Sequence, residues 1–239
     1  AKRSYFSARA RALFLLFWSS LFVPCQISFG QTGWDAVPAI LKRISPPVFP
    51  QKDFSITSFG AIGNGVADCS SAFRQAIEKC SATGGGRVVV PKGIYLVGAI
   101  HLKSNVNLYV SKEATIRFST DPRQYLPVVF TRWEGVECMN YSALIYAFEQ
   151  ENIAVTGEGI LDGQGSDATW WTWKGNKAGS EERPNQNVAR KKLIEMGENG
   201  VSVKDRIFGD GSCLRPNFFQ PYRCKNVLVD GVTFKNSPM

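Results

Sequence analysis

Histidine is almost missing from this sequence. His101 is the single one among 239 residues, which leaves a Ser-His-Asp relay little to stand on. It lies in the apolar alternation "GAIHLKSNV", where a strand histidine with a satisfied hydrogen bond is the expected role, ahead of a ligand or a base. Cysteines number six, and no pair has metal-finger spacing. Cys69 and Cys80 share one face of an expected helix, yet at that separation they stand about 16 Å apart, too far to bridge. No acidic cluster resembles a Ca²⁺ cage, so neither metal nor cofactor is expected. Long hydrophobic runs are also missing. The stretch from Ala12 to Val23 falls well short of the roughly 18 residues of a candidate membrane span. Nor is there a dense basic patch with interleaved aromatics, which removes the case for a nucleic-acid partner. The one basic cluster, "ARKKL" at Ala189 to Leu193, reads as a solvated face.

What is present begins with an address. Lys2, Arg3, Arg9 and Arg11 precede that apolar stretch, and Ser28 and Gly30 supply small residues before Gln31. Residues 1–30 are therefore expected to be a secretory signal peptide cut after Gly30, with residues 31–239 as the folded part and no membrane attachment after cleavage. Half of the formal net charge of +8 lies in those first residues. The modest remainder suits a polyanionic ligand and is equally ordinary for a secreted protein.

The body of the sequence repeats itself. "NIAVTGEGILDG" from Asn152 and "NVLVDGVTF" from Asn226 share one grammar, which aligns Ile153 with Val227, Val155 with Val229, Gly157 with Gly231 and Ile160 with Phe234. Alternation places these apolar groups on one face and Ala154 and Leu228 on the other. "NVNLYVSKEATIRF" from Asn105 is a weaker copy that lacks the glycine. Short strands, Gly or Asn at corners and recurrence after tens of residues predict a stacked solenoid; an antiparallel sandwich is the alternative. The spacing between the copies at Asn105 and Asn152 reads as two coils of roughly 23 residues each. The longer gap to Asn226 reads as an inserted loop.

Ahead of the coils, Asp68 or Ser70 can cap a helix whose apolar face is Ala72, Phe73, Ala76, Ile77 and Cys80, terminated by Gly84 to Gly86. Such a helix covers the first coil of a solenoid. No comparable cap follows Asn226, so the sequence is expected to be cut inside its repeat array, and an exposed last coil to make it aggregation-prone.

The stretch "FGAIGNGVADCSSAFRQAIEKCSATGGGRVVVPKGIYLVGAIHLKSNVNLYV" resembles the N-terminal region of secreted right-handed parallel β-helix enzymes that act on pectin. "TRWEGVE", "ENIAVTGEGILDGQG" followed by "WWTW", and "LRPNFFQPYRCKNVLVDGVTFKNSPM" narrow this. Together they are similar to polygalacturonases of glycoside hydrolase family 28, over about Phe54 to Met239. The resemblance implies an all-β right-handed parallel β-helix with an N-terminal capping helix, and a monomeric extracellular or periplasmic enzyme. It implies inverting hydrolysis of α-1,4-galacturonosyl linkages of pectin, which needs an acid and a base carboxyl roughly 6.5–9.5 Å apart. The family's Asn-x-Asp, Asp-Asp and Gly-His-Gly motifs occur nowhere in this sequence. They are expected, with its Arg-x-Lys motif, beyond Met239, so no catalytic residue is assigned and the chain alone is expected to be inactive. A pectate lyase on the same fold and a noncatalytic polysaccharide-binding β-helix are the competing readings.

Local carboxylates do not fill that gap. Asp162 and Asp230 each precede a glycine and read as turn formers, and Glu134 and Glu137 would repel a galacturonate. For substrate binding the candidates are Arg132, whose planar fork matches a uronate carboxylate, and Trp133, as a sugar-stacking face. Trp170, Trp171 and Trp173 are expected to plug a loop onto the solenoid wall. Lys174 to Gly211 reads as a long polar loop with a short helix around Val188 to Met196, forming a groove wall.

Overall fold

The computed structural model describes residues 33–175 and 184–239; the expected signal peptide at 1–30 and part of the expected loop lie outside them. Two compact units divide the chain at Ile44/Ser45. In the first, the described residues are a 3₁₀ turn, Gly33–Ala36, and helix α1, Val37–Leu41.

The second unit, Ser45–Met239, contains the coils. Its strands are β1 (Asp53–Ser55), β2 (Asn64–Asp68), β3 (Gly86–Val90), β4 (Gly93–Val97), β5 (Ile100–His101), β6 (Val106–Val110) and β7 (Ala114–Phe118). There follow β8 (Val129–Trp133), β9 (Val136–Asn140), β10 (Ile145–Phe148), β11 (Glu151–Gly157), β12 (Ile160–Asp162), β13 (Phe219–Tyr222), β14 (Lys225–Asp230) and β15 (Thr233–Lys235). Helix α2 (Ser70–Ala82) precedes β3, and α3 (Asn187–Glu198) precedes β13.

Three parallel sheets wrap one core: β1-β3-β6-β11-β14, β2-β4-β7-β12-β15 and β5-β10-β13. The chain visits them in turn, which makes a right-handed parallel β-helix. Inward residues stack in register from coil to coil. Val88 meets Leu108, Leu108 meets Val155 and Val155 meets Val229. The buried faces of these strands join the apolar stripe of α2, namely Ala72, Phe73, Ala76, Ile77 and Cys80, in a single cluster. Helix α2 begins where the Asp68 carboxylate accepts the Ser70 amide at 2.8 Å, satisfying one of its free N-terminal donors.

The copies at Asn105, Asn152 and Asn226 occupy β6, β11 and β14, which are direct neighbours. This corrects the expected coil count: the 47-residue and 74-residue separations of these asparagines are each one coil, because the extra length is carried by excursions from the wall. The first excursion holds β8 and β9 and the second α3. Register also corrects one pairing. Ile160 faces Thr233, and it is Leu161 that meets Phe234, since the turn after Gly157 holds one residue more than the turn after Gly231.

Two devices hold the coils in line. Asn105, Asn152 and Asn226 all adopt left-handed backbone, with φ of 64°, 53° and 51°, a conformation asparagine tolerates better than most residues. Their side chains form a ladder: Asn226 Nδ2 donates to Asn152 Oδ1 at 2.9 Å, and Asn152 Nδ2 donates to Asn105 Oδ1 at 3.1 Å. At the next corner Gly157 has φ +115°, and a Cβ there would stand 2.1 Å from the Val110 carbonyl oxygen.

Candidate binding site

Strands β8 and β9 form an antiparallel hairpin that stands on the outer face of the third sheet. That face is built from alternate residues of the coil strands, with His101, Tyr146 and Gln220 in one row and Phe148 and Tyr222 in another. The hairpin's β8 edge would otherwise leave carbonyls unpaired, and the sheet's side chains satisfy them. Tyr146 Oη donates to Phe130 O at 2.6 Å, and Gln220 Nε2 and Asn217 Nδ2 donate to Arg132 O at 3.1 and 3.3 Å. Thr131 Oγ1 bonds Gln220 Oε1. On the β9 side, Met139 N donates to Arg206 O and Met139 O accepts in return from Phe208 N, at 3.0 and 2.7 Å. Both edges are thereby covered.

Alternation gives the hairpin two faces. Trp133 and Cys138 point toward α3 and pack with Leu193, Phe208 and Leu214 as a satellite core. Trp133, expected as a stacking surface, is 2 % exposed and donates Nε1–H to Arg215 O at 3.0 Å. Its ring is inside, because α3 covers that face, and it offers nothing to a sugar. The opposite face carries Phe130, Arg132 and Glu137. There Arg223 lies over the Phe130, Phe148 and Tyr222 rings at 5.1, 5.9 and 5.9 Å, an arrangement of cation and ring faces. Glu137 takes a hydrogen bond from the Tyr222 hydroxyl and lies 3.9 Å from Arg223. Burial first, and then the Glu137 carboxylate, raise the Tyr222 phenol above its usual range.

Arg132 and Glu137 are directly opposite across the hairpin, yet no ion pair joins them among the described residues, since Glu137 is turned to Tyr222 and Arg223. Arg132 is exposed and anchored through Nε to Gly135 O at 3.0 Å. Glu134 pairs with Arg190 at 2.7 Å, which fastens α3 to the hairpin tip. Asp162, expected as a turn former, is the last residue of β12, where it accepts from Gln164 N at 3.0 Å and Asn236 Nδ2 at 2.8 Å and pairs with Lys235 at 3.4 Å. His101 bonds Ser142 Oγ at 3.0 Å through Nε2, and its ring lies 5.3 Å from that of Tyr146. Trp170 is buried and meets Tyr125 and Trp173 edge-on at 5.7 and 5.1 Å. Trp171 is 42 % exposed, so the expected plug consists of two tryptophans, not three.

The reading of the sequence had passed over Tyr222, Arg223 and Arg206. For the first two a signal exists in "QPYRC", where Gln220 and Tyr222 alternate outward. Arg206 carries none, because its position depends on β9, far away in sequence.

Among the described residues, no helix is long and apolar enough to cross a membrane. A family model described as "Rhamnogalacturonase A/epimerase, pectate lyase-like" matches residues 54–121. A probable polygalacturonase of Vitis vinifera is 30 % identical over 190 residues, 75 % of this chain and 36 % of that protein. A hyperthermoactive exopolygalacturonase from Thermotoga maritima superposes with a TM-score of 0.82 at 50 % identity, covering 86 % of this chain and 46 % of that one. The plasmin and fibronectin-binding protein A of Streptococcus pneumoniae is 29 % identical over 82 % of this chain and 26 % of its own. The chain thus spans less than half the length of these relatives.

Proposed function

We propose, because this chain is a relative of the polygalacturonases of glycoside hydrolase family 28, that the whole protein is a secreted, monomeric, pectin-degrading glycoside hydrolase. Its substrate is galacturonan, cleaved at α-1,4 linkages with inversion and from the chain end. The observation that carries this reading is the half-identical exopolygalacturonase superposing on most of the chain. The hairpin supports the exo mode, since a wall standing across the outer face of the third sheet obstructs a polymer running along it. No carboxyl pair of the described residues is assigned the chemistry. In this reading residues 1–30 direct export, the β-helix within the expected 31–239 is Ser45–Met239, and Arg132 contributes to substrate binding.

The test is to incubate the whole protein with polygalacturonate and follow products by chromatography and the anomeric proton by NMR. Release of monogalacturonate as the β-anomer is the expected outcome, and random shortening would remove the exo assignment. Unsaturated products would point to a lyase. A second reading, binding without cleavage, is favoured by the relative named as a plasmin and fibronectin-binding protein; retention on pectin with no new reducing ends would establish it. N-terminal sequencing of the exported protein is expected to begin at Gln31.

A further inference from the structure

Arg215 is an arginine turned inward. Only 9 % of it is exposed, and burial is the main influence on its guanidinium, lowering its pKa, with the Glu134 charge acting in the opposite sense. Glu134 is itself paired with Arg190 at 2.7 Å, and among the described residues Arg215 has no ion pair. Taking a charge out of water without a counter-charge is costly, and an apolar side chain of similar volume is often no less stable in such a place. Packing alone therefore does not account for an arginine here.

Its contacts do. Nε donates to Gln186 Oε1 at 3.2 Å, and Nη1 donates to Pro238 O at 3.1 Å. Gln186, 4 % exposed, is the residue from which α3 starts, and its carbonyl accepts the Arg190 amide at 2.7 Å. Pro238 belongs to the segment after β15, where Asn236 O and Ser237 O accept from Gly165 N and Trp171 Nε1 at 2.8 and 2.9 Å. The backbone at the same place carries the hairpin: Arg215 O accepts from Trp133 Nε1 at 3.0 Å and Leu214 O from Asn140 Nδ2 at 3.1 Å, and these two donors are the last residues of β8 and β9. The hairpin, the start of α3 and the last coil thus meet at one guanidinium. Since the satellite core is a cluster apart from the main core, polar ties of this kind set where the hairpin and helix stand on the stack.

We propose that Arg215 is a positioning residue: by holding Gln186 and Pro238 at once, it fixes the hairpin and α3 as a wall against the last coil, and that wall confines cleavage to the chain end. The proposal rests on the exo-acting galacturonan reading above. Arg215 touches no substrate in this role. The test compares the full-length native protein with Arg215→Lys and Gln186→Leu on polygalacturonate, reading the ratio of monogalacturonate to longer products at early conversion, kcat, KM and a melting curve. Arg215→Lys keeps the charge but replaces a planar fork by a point donor that cannot serve both acceptors. Gln186→Leu leaves the guanidinium and removes its acceptor on α3.

The native protein is expected to release monogalacturonate, and each variant to lower the product ratio by about tenfold or more. The two changes combined are expected to lower it no further than the stronger one alone, because both act through one connection. A merely structural role would lower the melting temperature and kcat and leave the product ratio unchanged; that result, like native ratios in well-folded variants, overturns the proposal. If Arg215→Lys does not fold, Gln186→Leu decides alone. Random shortening by the native protein would remove the exo reading itself, and the proposal with it, before any variant is compared.

Discussion

His101 is a residue whose environment writes a pH dependence into the fold. Packing of its ring against neighbouring groups, and then the nearby Lys103 charge, hold its pKa below the ordinary 6.5. The folded state therefore takes up its proton later than the unfolded chain as pH falls. Stability from this group is complete above 6.5 and declines as pH drops from 6.5 toward the depressed folded value. Since the sequence has one histidine, a single imidazole resonance reports it. We expect that resonance to titrate below pH 6.5, and His101→Gln to flatten the change of melting temperature over that range. The thiols make a second case. Cys69, Cys80, Cys138, Cys213 and Cys224 are all unpaired, and burial pushes Cys80 up to about 11 and Cys138 up to about 12. Because the thiolate is the reactive form, alkylation at pH 8 is expected to spare both in the native protein and to modify both in urea.

At the scale of elements, glycine corners set how closely coils approach. Gly157→Ala places a methyl group against the Val110 carbonyl in a left-handed conformation, and neither backbone can retreat without breaking the strand pairing. A loss of about 2–4 kcal/mol is expected in urea unfolding. The elements themselves were legible in the sequence wherever the signal was local. The stripe of α2 from Ala72 to Cys80 obeys a helical period, and an Asn followed by apolar residues one and three places on marks β6, β11 and β14 within a residue of their starts. Coil length was not legible, because an excursion of any length returns to the same wall. A one-residue difference between the turns after Gly157 and Gly231 likewise moved Leu161, not Ile160, opposite Phe234. Arg132 and Trp133 show the same limit at the site. Alternation separates their faces, but only the docking of Leu193 from α3 decides which face is dry.

For the molecule as a whole, the main core and the satellite core are separate clusters, and this predicts separable stability. Leu108→Ala removes a fully buried side chain from the stacked interior and is expected to cost about 2–5 kcal/mol of global stability. Leu193→Ala, in the satellite, is expected to speed hydrogen exchange of β8, β9 and α3 amides while those of β6 and β11 stay protected. Exchange quickened equally in both regions would contradict the separation.

The asparagine ladder has a direction. At each rung the later asparagine gives its hydrogen and the earlier one lends its oxygen, so the row distinguishes the two ends of the stack as a line of people passing buckets distinguishes well from fire. Aspartate, which can accept but not give when ionised, is then tolerable at one rung and damaging at another. Asn105→Asp leaves an acceptor for Asn152, whereas Asn226→Asp sets two oxygens face to face across the bond to Asn152. The same chemical change, a single deamidation, is mild at the start of the row and disruptive further along it.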